Sequence, residues 1–340
     1  MLKTHEPPRT LSQPSQYTLK EQFNKYSRLT LPGHKTSIHT VRWSPDGVYL
    51  AAGGKDKIVN LYRATESDMV PDPRYTNHGH SGDIDDISWN PTSLYQFSTA
   101  STDKTAKVWD IRYIDPIASI RLKNENLTVN WSSDGQTIAV ADRNDWVSFL
   151  DVRMGFRVMK DLKFPFEVND LVWTKDNELL FVTSGDGNVH IFNYPDLQPL
   201  MVLDAFASPC LCIRFDQSGR YFAVGSNDAV SSVWCSQNLA CISAIDRLEW
   251  PIKAISFSHD GKYLASGSED HFIDISRTKT GEQEMVIEVN APTLTLDFHP
   301  KHNILAYALD EHDYRDQGTV KVVGFPEKER RNDRHPNVRQ

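Results

Sequence analysis

SFSHDGKYLASGSEDHFIDI, residues 256–275, decides how the rest of the chain is read. An apolar run leads into a turn at Asp260-Gly261, and Tyr263 and Ala265 then alternate with their neighbours. Glu269-Asp270 turns the chain again before a third short alternating run. Period-two alternation broken by Asp-Gly and Ser-rich pairs predicts a three-stranded antiparallel meander. One meander cannot bury both of its faces, so copies of it must stack.

Copies are present. The aromatic before the first turn recurs as Trp43, Trp89, Trp131, Trp173, Phe215, Phe257 and Phe298, at steps of 46, 42, 42, 42, 42 and 41 residues. An aliphatic stands two positions earlier each time: Val41, Ile87, Val129, Leu171, Ile213, Ile255 and Leu296. The second-turn aspartate recurs as Asp56, Asp103, Asp145, Asp186, Asp228 and Asp270. A period of about 42 residues with four short strands per unit predicts an all-β, seven-bladed propeller. Its boundaries are read as residues 17–325, after a disordered lead-in over 1–16 and before a charged, disordered tail over 326–340. The strand SRLTL precedes the first unit, and the last unit ends one strand short after TVKVVGF. The N-terminal strand is therefore expected to complete the final blade and leave no open seam.

Composition narrows the function classes. Apolar residues make up 39% of the 340 positions, enough for a folded core. A formal charge of −8 excludes nucleic-acid affinity driven by phosphate neutralisation over the whole surface, and favours protein partners. Four cysteines, at 210, 212, 235 and 241, are too few for a disulfide-stapled scaffold and point to a reducing compartment. MLKTHEPPRT lacks the apolar core of a signal peptide, and no apolar run reaches the roughly 18 residues of a membrane span. A soluble intracellular chain is expected.

Few residues suggest chemistry. His80, Thr99, Ser101, Asp103 and Trp109 could be read as containing a catalytic triad, but a triad needs an exposed nucleophile beside an oxyanion site. Their register places them in a packing network instead. Cys210 and Cys212 lie on one strand face, and a Cys-x-Cys pair with no second pair is read as buried thiols. His299 and His302, flanking a Pro-Lys turn, are equally weak as metal ligands. No phosphate loop, dinucleotide fingerprint, nucleophile elbow or zinc-protease motif occurs. No cofactor, metal or small-molecule substrate is expected, and no enzyme activity.

Surfaces remain. Six residues before the core aromatic stand Ser37, Asp83, Glu125, Glu167, Pro209, Pro251 and Pro292. Three adjacent blades thus present a carboxylate at one height, and Asp83, Glu125 and Glu167 are read as an acidic arc for a partner's basic segment. Arg247 and Trp250, in the loop RLEWP, and Tyr314 and Arg315, in the lengthened loop LDEHDYRDQG of the last blade, have the composition of an interface.

Gly33-His34, Gly79-His80 and Trp109-Asp110 resemble the WD-repeat family over residues 27 to 325, and that family joins the His, Ser/Thr, Asp and Trp positions by hydrogen bonds. ENLTVNWSSDGQTIAV (125–140), FEVNDLVW (166–173), RLEWPIKAISFSHDGKYLASGSEDHFIDI (247–275) and APTLTLDFHP (291–300) further resemble the WD-repeat subunits of the THO complex, part of the larger TREX assembly. That resemblance implies a nuclear, non-catalytic scaffold coupling transcription to messenger-RNA packaging and export. The partners it implies are large helical THO subunits and, within the assembly, a DEAD-box helicase, with RNA contacted indirectly. The alternative is a substrate receptor of a cullin-type ubiquitin ligase, because Trp109-Asp110-Ile111-Arg112 fits the WDxR pattern of such receptors.

Overall fold

A computed structural model describes residues 18–25, 28–65, 68–75, 79–310 and 318–325. The lead-in, the tail and the stretch containing Tyr314 and Arg315 lie outside the described residues. Seven four-stranded antiparallel sheets follow one another around a ring. Their innermost strands are Ile38–Trp43, Ile84–Trp89, Asn126–Trp131, Val168–Trp173, Cys210–Phe215, Ala254–Phe257 and Thr293–Phe298. The seven expected aromatics close these strands, and all but the half-buried Phe215 are buried, as is every residue of the aliphatic column.

The periodic turns have a shared chemistry. In SPDG, the Ser44 hydroxyl donates to Asp46 at 2.6 Å and accepts from the Tyr49 N–H at 2.9 Å, while Gly47 takes φ +75°. Ser132, Asp134 and Gly135 repeat this arrangement, as do Ser258, Asp260 and Gly261. A hydroxyl, a carboxylate and a left-handed residue at fixed offsets close a tight hairpin, so these types recur.

The ring closes as expected. Leu29–Leu31 is the outermost strand of the seventh blade, pairing with Thr319–Val323 through Leu29↔Val322, Thr30↔Lys321 and Leu31↔Val320. A helix at Leu19–Lys25, not anticipated from the sequence, precedes it. Thr18 and Glu21 cap it reciprocally: the Thr18 N–H donates to Glu21 Oε2 at 2.9 Å and the Glu21 N–H to Thr18 Oγ1 at 3.3 Å. Leu19 and Phe23 bury into the core shared by blades six and seven. Gln22 Nε2 donates to the carbonyls of Asn303 (3.0 Å) and Gly324 (3.1 Å), tying the helix to the end of the last strand.

At the seam, His299 holds blade seven against blade one. Its Nε2 donates to the Gly47 carbonyl at 3.1 Å, and its Nδ1 accepts from the N–H groups of Lys301 and His302. Burial, reinforced by His302, pulls its pKa down to about 3, so the ring is neutral.

Two outcomes test this closure. Leu31→Ala should lower the unfolding free energy by about 2–5 kcal/mol by cavity formation, while Thr30→Ala, on the exposed face of the same strand, stays within about 0.5 kcal/mol; urea titration reads both. His299 is neutral in the fold and titrates near ~6.5 when unfolded. Its contribution is therefore complete above pH ~6.5 and is lost as pH falls toward 3. His299→Asn should flatten the fall of the urea midpoint between about pH 6.5 and 4.

Candidate interaction faces

Blade two carries the whole hydrogen-bond chain. Trp109 Nε1 donates to Thr99 Oγ1 at 3.0 Å, and Thr99 meets His80 Nε2 at 2.6 Å. His80 Nδ1 meets Asp103 Oδ2 at 2.9 Å. With Trp109 donating to it, Thr99 can give its own proton to Nε2, which makes His80 a neutral ring carrying its hydrogen on Nδ1. Burial lowers the His80 pKa against the pull of Asp103. For Asp103, burial pushes the carboxyl up, but bonds from His80, Thr105 and the Ser81 N–H outweigh it and hold it well below the usual carboxylate range. Of the two hydroxyls the spacing allowed, Thr99 is the link. Ser101 instead accepts from the Asp103 N–H at 3.1 Å. Thr99 and Ser101 are both fully buried, so neither is a nucleophile open to substrate.

The axial channel has polar walls that the sequence reading missed. Asp86 Oδ2 accepts from the Val129 N–H (3.2 Å) and the Thr128 hydroxyl (3.0 Å) of the next blade. Asp170 Oδ2 accepts from the Ile213 N–H at 3.1 Å, and Asp297 Oδ2 from the Trp43 N–H at 2.9 Å. Arg42 faces Asp86 at 3.5 Å and Arg214 pairs with Asp170 at 2.5 Å. The space between these walls divides into volumes of about 360 and 160 Å³. A signal existed: the position three before the aromatic reads Thr40, Asp86, Thr128, Asp170, Cys212, Ala254 and Thr295, polar in five of the seven blades.

On the face bearing the second turns, the carbonyls of Asp83, Glu125 and Glu167 accept from the N–H groups of Thr102 (3.0 Å), Arg143 (2.9 Å) and Gly185 (3.0 Å). The same bond in three consecutive blades sets these residues at one level. The Glu125 carboxylate meets Arg143 at 3.0 Å, and Glu167 lies over Gly185, where an added Cβ would come within 2.4 Å of its Oε2. Nearby at the channel mouth, His39 bonds Asp85 at 3.2 Å, and that bond raises its pKa.

In blade six, Arg247 grips Asp274 through Nε (3.0 Å) and Nη2 (2.9 Å) and donates to the Gly281 carbonyl at 2.9 Å. Trp250 is 53% exposed, and its N–H and that of Glu249 donate to Asp270. Arg112 of the WDxR stretch is held by Asp110 through Nε (2.8 Å) and Nη2 (2.6 Å) and lies over Tyr95. Cys210 and Cys212 are buried, and burial pushes both thiols up to about 12. Among the described residues no group of His, Cys, Asp and Glu has the arrangement to hold a metal ion.

The model of the WD domain, G-beta repeat, matches residues 25–63, 71–110, 160–193, 197–235 and 245–275. The propeller domain of Cps50 (Swd1) from Myceliophteria thermophila superposes with a TM-score of 0.76 at 16% identity, over 88% of this chain and all of that one. Ring and repeats together define a WD-repeat β-propeller. THO complex subunit 3 of Arabidopsis thaliana is 36% identical over 296 residues, spanning 86% of this chain and 94% of that protein. WD repeat-containing protein AAC3 of Dictyostelium discoideum is 26% identical over 89% of this chain and 68% of its own length. The chain belongs to the THO complex subunit 3 family of WD-repeat proteins.

Thr99→Ala should leave both His80 Nε2 and Trp109 Nε1 without a partner and cost on the order of 2–3 kcal/mol in urea unfolding. Thr99→Ser keeps the hydroxyl and should cost less than half of that. Equal losses in the two variants would mean that the methyl group, not the hydrogen-bond chain, holds the blade.

Proposed function

We propose that this chain is a non-catalytic scaffold subunit of a nuclear THO assembly, coupling transcription to messenger-RNA packaging and export through protein–protein contacts. The observation that carries the reading is the 36% identity to a THO complex subunit 3 across 94% of that protein's length. The chemistry of the ring agrees with it. Its histidine–aspartate pair is buried in packing, its channel carboxylates are spent on backbone N–H groups and arginines, and two of its thiols are held protonated by burial. The large helical THO subunits are the proposed docking partners, a DEAD-box helicase joins in the larger assembly, and RNA is reached indirectly. Asp83, Glu125 and Glu167 are proposed to receive a basic partner segment. Trp250, on the loop that Arg247 and Asp270 hold, is proposed as an anchor on the same face. Tyr314 and Arg315, outside the described residues, are proposed to contribute from the last blade.

Affinity purification of the tagged chain from nuclear extract, with cross-linking to map contacts, tests the assembly. THO subunits should be its principal partners, and a partner list without them would sink the reading. Reversing all three charges of the arc (Asp83→Lys, Glu125→Lys, Glu167→Lys) should weaken capture of a Lys/Arg-rich peptide by about ten-fold at low salt and less at high salt. Unchanged capture would mean the three acids are solvated turn residues.

A further inference from the structure

Large apolar side chains are unevenly distributed over the outside of the ring. Of the fourteen that are exposed among the described residues, twelve belong to blades two to five. The densest group lies on the rim of blades three and four, where Met154, Val158 and Met159 stand beside Leu200, Met201 and Val202, each at least 42% exposed. Lys160 of blade three reaches across to the Asp196 carbonyl of blade four at 3.0 Å, so the two groups border one inter-blade groove. Beyond them, Leu200 and Met201 also edge a cavity of about 630 Å³ between blades four and five, lined with Phe181, Ile191 and Leu239. Exposed apolar side chains concentrated on two adjacent outer strands mark an interaction site.

The mode of binding follows from the backbone. The outermost strands Arg157–Lys163 and Pro199–Asp204 present free edges, which could take an added strand. Both pair with their inner neighbours through a β-bulge, at Phe149/Leu150 and Ile191/Phe192. Bulges twist an edge away from straight pairing, and blade three adds Lys160 and Lys163 to its edge. Strand addition is disfavoured, and what remains is a side-chain surface broad enough for a helix laid across the groove.

Charge sets the partner's chemistry. On the rim of blades two and three Arg112, Arg121, Lys123, Arg153, Arg157 and Lys163 are exposed, with Asp115 the acid beside them, whereas blade four exposes Asp196 and Asp204. The acids that pair with them, Asp110, Asp151 and Asp161, are buried or half-buried. We infer that the rim of blades three and four docks an amphipathic helix of a helical THO subunit, its apolar face on Met159 and Leu200 and its acidic flank toward Arg157 and Arg153. This rests on the assembly proposed above and names the surface and the partner chemistry within it.

The test uses the full chain co-expressed with the helical THO subunits. A photo-crosslinking residue placed at position 159 or 201 should capture one helix bearing Asp or Glu beside its apolar face. Met159→Asp and Leu200→Asp, both on exposed positions and checked for an unchanged melting temperature, should each lower the yield of assembled complex at least ten-fold. Arg157→Glu should weaken assembly, and reversing the facing acid on the captured helix should restore it. If the wild-type chain assembles while the rim variants assemble equally and both crosslinkers stay silent, the rim is not the docking surface and only this inference falls. Crosslinks to RNA or to a second copy of the chain would overturn it in the same way. If the wild-type chain assembles with no THO subunit, the assembly reading fails first and this one with it.

Discussion

Every blade of a propeller leaves the inner edge of its first strand facing the axis, and the backbone N–H groups on that edge have no sheet partner. Buried donors left unpaired cost on the order of 1–3 kcal/mol each, and a ring multiplies the problem by its blades. Here side chains of the preceding blade supply the acceptors. Asp86, Asp170 and Thr295 take the N–H groups of Val129, Ile213 and Val41, and Ser88, Ser256 and Asp297 take those of Trp131, Phe298 and Trp43. The indoles of Trp89 and Trp131 donate in the same sense, to the carbonyls of Arg42 and Ser88 on the preceding blade. Each blade is thereby registered against its neighbour by hydrogen bonds as well as by packing. Introducing carboxylates for this purpose brings charge into the axis, which explains the two arginines that face it. Desolvation pushes the Asp297 carboxyl up in spite of Arg42, the Trp43 N–H and the Ser256 hydroxyl. The polar groups of the channel are therefore already engaged by the fold.

The outer edges solve the same problem by other means. Seven outermost strands end the sheets in solvent, and several devices blunt pairing with another chain. Met69–Pro71 is three residues long and ends in proline, and Gln283–Glu288 carries acids at both ends of its apolar centre. Bulges interrupt the outermost pairing of blades three to six. Pro199–Asp204 is the weakest of these defences, since its interior Leu-Met-Val-Leu carries no charge. A protein that left such a strand bare would be prone to self-association, and a partner that covers it removes the hazard.

How much of this was legible depended on whether a feature repeats. The turns were legible because Ser, Asp and Gly must stand at fixed offsets to make them, and the aromatic column because a large ring closes and buries the end of every innermost strand. Ring closure could be read from the strand missing after Val323. The helix at Leu19–Lys25 could not: seven residues give too few turns for a periodicity, and its Gln22 partners, Asn303 and Gly324, lie at the far end of the chain. Nor could spacing choose Thr99 over Ser101, because residues two apart on a strand share a face and only the indole of Trp109 distinguishes them. That Asp83, Glu125 and Glu167 share one level was legible from their spacing, but the pairing of Glu125 with Arg143 was not, since the arginine comes from the adjacent turn. The apolar rim was invisible because Pro199–Asp204 reads as any strand would, and its exposure depends on being outermost.

Columns also explain how blade six survives without the chain of bonds that blade two keeps. The glycine before the histidine in blade two is Gly79, whose carbonyl accepts from Lys107 Nζ at 2.7 Å. In blade one the same two columns hold Gly33 and Asn60, and an added Cβ on Gly33 would lie 3.0 Å from the Asn60 amide. In blade six they hold Arg247 and Asp274, which form a bidentate ion pair with the carboxylate wholly buried. In blades two and six the loop entering the blade is thus pinned to its third strand, by a lysine on a carbonyl in one and by an ion pair in the other. With Leu248 at the histidine's place and Ser276 at the tryptophan's, the ion pair replaces two rings, and Ser276 turns its hydroxyl to Asp274 to complete it. Asp270 has no histidine to hold; it keeps the N–H of Glu249, at the place of Ser81 in blade two, and takes that of Trp250 as well. The Arg247–Asp274 pair and the two N–H groups on Asp270 thus hold the loop that presents Trp250, where other residues have replaced the histidine and tryptophan of blade two.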